Sequence, residues 1–158
     1  MRYLMVDRIL DFEADAHVTA VKNVSRESDV VEHHFQGYPL WPGCMTLESM
    51  AQVGGYLIMR SALESQNQWV IAALASVSRA TFKRPVFPGD QMLIKATLGE
   101  VSPNTAEITA VARVDKAVVA KARFVLVHRP LDAVDNADSI AYLTRLFNSM
   151  ERKGGLIE

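Results

Sequence analysis

The chain has one cysteine, Cys44, in 158 residues, so no intrachain disulfide can hold it together. It also lacks a long hydrophobic run. The longest apolar-rich segment, VIAALASV at residues 70–77, is far shorter than a bilayer span, so no membrane insertion is expected. The start, MRYLMVDRIL, offers only four apolar residues before Asp7-Arg8, too few for the core of an export signal. With that signal and a disulfide framework both missing, the expected location is cytoplasmic. Charge of one sign is missing too. Seventeen Lys and Arg against 18 Asp and Glu leave a formal net charge of −1, which gives no bulk reason to expect nucleic acid or an anionic surface as partner. There is no internal repeat and no low-complexity tract.

What is present is ordinary for one globular domain with its own core: 49% hydrophobic and 22% charged residues. Residues 3–12 and 17–24 pattern as strands, and HVTAVKNV alternates with β-branched enrichment. A polar turn follows at 25–29. Residues 30–35 look extended, which would send His33 and His34 to opposite faces. Pro39, Pro42 and Gly43 then stop any regular element. From 46 to 64, Leu47, Met50, Ala51, Gly54, Leu57, Ile58 and Ser61 recur at helical spacing. With Val53, Tyr56 and Met59 the apolar stripe is nearly continuous, so this helix is expected to be buried on most sides. Gly54-Gly55 inside it costs about 1 kcal/mol per glycine relative to alanine, which implies tight packing against its backbone.

Four strand-length segments rich in Val, Ile, Ala and Thr follow at 69–82, 91–101, 105–115 and 118–127. Short turn signals separate them, so the predicted sheet is antiparallel and the class α+β. Residues 129–138 read as a polar linker. Residues 139–152 form an amphipathic helix with Ile140, Leu143, Phe147 and Met150 on one face, capped by Asp138 or Ser139. The closing KGGLIE is expected to fray. The predicted division is a domain at 1–130 and a linker with helix at 131–158.

Chemistry concentrates in HFQGYPLWPGCMTLESMAQ, residues 34–52. A neutral histidine can take a proton near pH 7, and a carboxyl group in apolar surroundings can be kept protonated to give one back. The Pro42-Gly43 step into the helix leaves unpaired N–H groups that favour negative charge developing on a carbonyl oxygen. Removing a proton beside a carbonyl, with acid-assisted loss of a β-hydroxyl, uses all three. The plainer alternative is a solvated histidine and an acid that merely favours the first helical turn.

The segment resembles the signature of the 3-hydroxyacyl-[acyl-carrier-protein] dehydratases, hydroxymyristoyl- and hydroxydecanoyl-ACP types included, at His34, Phe35, Pro39, Pro42, Gly43, Glu48 and Gln52 without a gap. LMVDRIL with VKNVS is similar to the family's opening, ATFKRPVFPGDQM to its second signature, and AVARVDKAVVAKARFVLV to its closing hairpin. The resemblance spans about residues 3–128. It implies a single hotdog fold, a long central helix wrapped by a curved antiparallel sheet, here followed by an extra C-terminal helix. It also implies a homodimer with the active site at the interface, where the histidine of one subunit faces the acid of the other. On this likeness His34 would remove the α-proton and Glu48 would assist departure of the hydroxyl. The Gly43 N–H would hold the thioester carbonyl. The substrate would be a (3R)-3-hydroxyacyl thioester on acyl carrier protein and the product the trans-2-enoyl thioester. No cofactor is implied, because the thioester activates its own α-proton.

Departures are mixed. Gln36 stands where the broad-range branch has proline, and Gly37 and Cys44 resemble the isomerising branch, yet Glu48 resembles the broad-range one. The usual Pro-His-Arg stretch before the first strand is missing, and Lys116 replaces a turn glycine. The mixture points to a specialised relative, of a polyketide or polyene pathway.

Among other residues, Cys44 lacks a catalytic partner in sequence and reads as a small wall residue. His33 reads as supporting structure, His17 and His128 as strand residues, and no spacing suggests a metal site. Trp41, Met45, Met50 and Tyr56 are candidates for an apolar acyl tunnel or, equally, plain core. Arg79, Lys83 and Arg84 could meet an acidic carrier protein or simply form a solvated strand end. Two rivals stand beside the dehydratase: a hotdog thioesterase using Glu48 to activate water, and a non-catalytic acyl-binding subunit.

Overall fold

The computed structural model of the chain describes residues 4–131 and 137–151. Its elements run β1 (Arg8–Glu13), β2 (His17–Asn23), α1 (Asp29–Glu32), α2 (Gly43–Gln66), β3 (Val70–Phe82), β4 (Gln91–Ser102), β5 (Thr105–Val114), β6 (Ala117–Pro130) and α3 (Ala137–Glu151). The strands form one sheet in the order β1-β2-β4-β5-β6-β3, every pair antiparallel. That is the α+β class expected. The curved sheet wraps α2, which packs against β2, β3, β4, β5 and β6 in the hotdog manner.

Alternation in the strands explains why they close on one helix. Met92, Ile94 and Ala96 of β4 are buried while Leu93, Lys95 and Thr97 face out. Ala106, Ile108, Ala110 and Ala112 do the same on β5, and Ala120, Ala122, Phe124 and Leu126 on β6. Small inward residues let α2 lie close to the sheet. At Gly54 the contact is tightest, since a Cβ there would sit 3.2 Å from both Ile108 and Phe124. Gly55 is different, because its Cβ would meet only Ala72, at 3.9 Å. The predicted packing against the backbone therefore holds at the first glycine and not at the second.

Three local readings are corrected. Residues 29–32 form the short helix α1, so His33 and His34 do not alternate along a strand. The long helix begins at Gly43, three residues earlier than expected, with Pro42 at its N-cap position. Glu48 is thus well past the first turn, and its position is not that of a dipole-pairing acid. The expected linker is also shorter, since β6 continues to Pro130 and α3 starts at Ala137. Asp138 accordingly lies inside the first turn of α3 rather than at its cap. The last six residues, KGGLIE, fall outside the described residues.

Strand β3 is the unusual element. It lies at the edge of the sheet, is exposed along most of its length, and carries Ile71, Leu74, Val77 and Phe82 as exposed apolar side chains. The hairpin between β5 and β6 turns through Asp115 and Lys116, both at positive φ (47° and 70°), where the favoured residues are Asn and Gly. Among the described residues no helix is long and apolar enough to cross a membrane.

Candidate active site

His34 sits in a loop that closes on itself. Phe35 N–H donates to Tyr38 O (3.0 Å), Tyr38 N–H donates to Phe35 O (2.9 Å), and Leu40 N–H donates to His34 O (2.8 Å). Gly37, at φ +77°, takes the left-handed position this tight return needs. Trp41 then pins the far end to Val86 through an N–H···O bond of 2.7 Å. The His34 ring stacks on Phe35, centroids 4.3 Å apart, and its Nδ1 lies 3.3 Å from Leu40 O. A carbonyl oxygen can only accept, so Nδ1 donates in this bond, and in the neutral ring Nε2 is then the nitrogen with the lone pair. The loop thus presents a half-buried imidazole with the tautomer a proton acceptor needs.

The start of α2 supplies donors. Among the described residues the N–H groups of Gly43 and Cys44 have no acceptor, whereas those of Met45 and Thr46 bond Pro42 O (3.0 and 3.2 Å). Gly43, the first helical residue, lies against the Phe82 ring, where a Cβ would come within 3.2 Å. It lines a cavity of about 240 Å³ together with Trp41, Thr46, Phe82, Lys83 and Arg84.

Glu48 opens onto a second cavity, of about 310 Å³, walled by Gln52, Gly55 and Tyr56 of α2, by β3, and by α3. Among the described residues it is the one ionisable carboxyl group in that wall, and its neighbours are chiefly apolar. Gln52 orients it. Met5 N–H donates to Gln52 Oε1 (2.8 Å), which fixes the amide so that Nε2 donates to Glu48 Oε1, also 2.8 Å away. Among the described residues no hydrogen bond holds the second oxygen of Glu48. Gln52 matched the signature without being assigned a role, and its part in aiming the carboxyl group emerges from the fold.

The other candidates divide. Tyr56 lines the Glu48 cavity, whereas Trp41 lines the one at Gly43. Met50 is fully buried core and lines neither, and Met45 packs partly buried beside the core. Lys83 and Arg84 stand at the Gly43 cavity. Arg79 and Lys83 border a groove on the sheet's outer face with Lys121 and Arg123, two cations that sequence reading missed because pairing of β3 with β6 brings them there. Cys44 is exposed. His33 Nδ1 bonds Asp29 O at 2.9 Å, and His17 sits between Asp11 and Glu13. His34 and Glu48 are not joined by any hydrogen bond or ion pair among the described residues. Each has its own partner, Leu40 O for His34 and Gln52 for Glu48.

The sequence and the fold are both matched by known proteins. The model of the FabA-like domain matches residues 1–123. The chain belongs to the FabA-like family. Among curated proteins it is 36% identical, over 83% of its length and 88% of the relative's, to the 3-hydroxyacyl-[acyl-carrier-protein] dehydratase FabZ of Hydrogenobaculum. It is 41% identical to the FabZ of an Escherichia coli strain, covering 76% of this chain and 79% of that one. Solved structures extend the likeness to the fold. The dehydratase heterocomplex ApeI:P of Xenorhabdus doucetiae superposes with a TM-score of 0.68 at 17% identity, over 87% of this chain and 90% of that one. The thioesterase HI1161 of Haemophilus influenzae gives 0.60 at 16% identity, over 78% of each chain. The FabA-like fold is thus shared by dehydratases and thioesterases, and residues rather than topology must decide between them.

Proposed function

We propose that this FabA-like chain dehydrates a (3R)-3-hydroxyacyl thioester on acyl carrier protein to the trans-2-enoyl thioester in fatty-acid synthesis or a related polyketide or polyene pathway. The observation that carries the reading is Glu48, a carboxyl group aimed by Gln52 into an apolar cavity of the helix that His34 precedes. His34 Nε2 takes the proton from C2, and electrons move toward the thioester oxygen, held by the Gly43 N–H at the start of α2. As the C2=C3 bond forms, the C3 hydroxyl leaves with a proton from Glu48, as water. His34 is left protonated and Glu48 ionised, and transfer of one proton between them, directly or through solvent, resets the site. A thioesterase would need Glu48 and water but not the prepared tautomer of His34.

The reading includes a homodimer. A long edge strand with exposed apolar side chains invites pairing, and β3 of a second copy supplies a partner with the same register and hydrophobicity. His34 of one subunit would then meet Glu48 of the other. Arg79, Lys83 and Arg84, joined by Lys121 and Arg123, form the basic rim that receives an acidic carrier protein. Residues 1–130 act as the catalytic unit and the segment from 131 as an appendage to it, and the protein works in the cytoplasm.

The test is absorbance at the enoyl-thioester band with 3-hydroxyacyl carrier substrates. Wild type gives enoyl product. His34→Ala and Glu48→Gln each lower turnover by about 10²–10⁴-fold, the range for a general acid or base. Free thiol without enoyl product would instead establish a thioesterase, and turnover surviving both substitutions would remove these residues from the chemistry.

A further inference from the structure

The FabA-like match ends at residue 123, and α3 begins at Ala137, outside the matched span. The cavity that Glu48 opens onto is closed on another side by Tyr142, Leu146, Phe147 and Met150, all from α3. We propose that α3 is the end wall of the acyl chamber and sets the longest chain the enzyme accepts.

The helix is held firmly enough to act as a wall. Phe147 and Met150 are buried, and the Phe147 ring packs on Tyr56 (4.8 Å between centroids) and Trp69 (5.5 Å). At the end of α3, Glu151 accepts hydrogen bonds from the Tyr56 hydroxyl and from Arg60 Nε (3.1 Å). The Tyr56 hydroxyl is thereby satisfied by a partner on α3, so an alkyl group in the chamber need not leave it unpaired. The chamber's volume of about 310 Å³ is near the lower end of small-molecule sites, roughly 300–1,000 Å³. An apolar space of that size, starting at the carboxyl group and stopped by a helix, accommodates the tail of a substrate whose C3 hydroxyl is at Glu48. The inference rests on Glu48 being the acid of the proposed reaction.

Leu146 is the residue to change, because it lines the chamber while only partly buried. Full-length wild type, Leu146→Trp and Leu146→Ala are compared on 3-hydroxyacyl carrier substrates of graded length. Binding of the matching saturated acyl-pantetheine thioesters is measured by calorimetry alongside. Misfit by one methylene in an apolar pocket changes kcat/KM by about 10–200-fold. Leu146→Trp should therefore lower kcat/KM on the longest accepted substrate at least tenfold or so, with the shortest within about twofold. Leu146→Ala should move the longest accepted chain upward. A loss of stability without a redirected chamber would lower all lengths alike. Wild-type length profiles in both folded variants would overturn the inference and leave the dehydratase reading intact. Absence of enoyl product from wild type, with binding that is limited in length and shifts in the two variants, would uphold the wall and sink the dehydratase.

Discussion

Adjacent glycines in α2 do different work, and a methyl group tells them apart. Alanine in a helix interior is favoured over glycine by about 1 kcal/mol. At Gly54 this gain is opposed by Ile108 and Phe124, both fully buried and each 3.2 Å from the new carbon, and overpacking a core costs about 1–3 kcal/mol. Gly54→Ala should lower stability by on the order of 1 kcal/mol. At Gly55 the nearest atom is Ala72 Cβ at 3.9 Å, so Gly55→Ala should raise stability by up to about 1 kcal/mol. Urea midpoints of the two variants check the pair, and equal shifts in either direction would refute the distinction. The sequence displayed both glycines and the helical period around them, and so implied a close approach. It could not say which glycine makes it, because that depends on the rotation of α2 against β5 and β6. The same holds for Gln52: its place in the motif was legible, but its hold on Glu48 depends on Met5, 47 residues away.

At the scale of elements, Glu151 of α3 is tied to α2 through Tyr56 and Arg60. Burial, and then the hydrogen bond to Glu151, push the Tyr56 hydroxyl well above its ordinary value of about 10. The folded state keeps a proton that the unfolded chain releases above that value, so the folded state binds more protons there. The contribution is fully present below about pH 10 and is lost as pH rises beyond it. Unfolding midpoints of the wild type should fall along this alkaline limb, and Tyr56→Phe should flatten it while lowering the plateau near neutrality. An unchanged limb in the variant would assign the alkaline loss to other groups. Strands and helices were largely legible because their hydrophobic periods are long and uninterrupted. The failures lie where a short apolar pair, Val30-Val31, fits strand and helix equally, and where α1 is settled by bonds such as Val31 N–H to Ser28 O. That α3 would turn back onto the face of α2 carrying Tyr56 was not legible. An amphipathic stripe says that a helix is covered, not by what.

For the whole molecule, the decisive question is where a complete site is assembled. One chain supplies an imidazole and an aimed carboxyl group, yet each is bonded to its own neighbour and no hydrogen bond or ion pair joins the two among the described residues. Two copies joined along β3 would place the His34 loop of each against the α2 of the other, making two equivalent sites per dimer. This arrangement has a consequence that no single-subunit site shares. His34→Ala and Glu48→Gln, each inactive alone, carry complementary halves. In a mixed dimer one site combines both substitutions, while the other combines the intact His34 of one chain with the intact Glu48 of its partner. If the two variants are unfolded and refolded together in equal amounts, random pairing makes half the dimers mixed. Activity should then return to roughly a quarter of the wild-type value per chain, since each mixed dimer has one intact site of two. Each variant refolded alone is the control, and light scattering confirms that all samples are dimers. If the mixture stays as inactive as its components, the two residues act within one chain, and the separation of His34 from Glu48 must be closed by movement of the His34 loop instead.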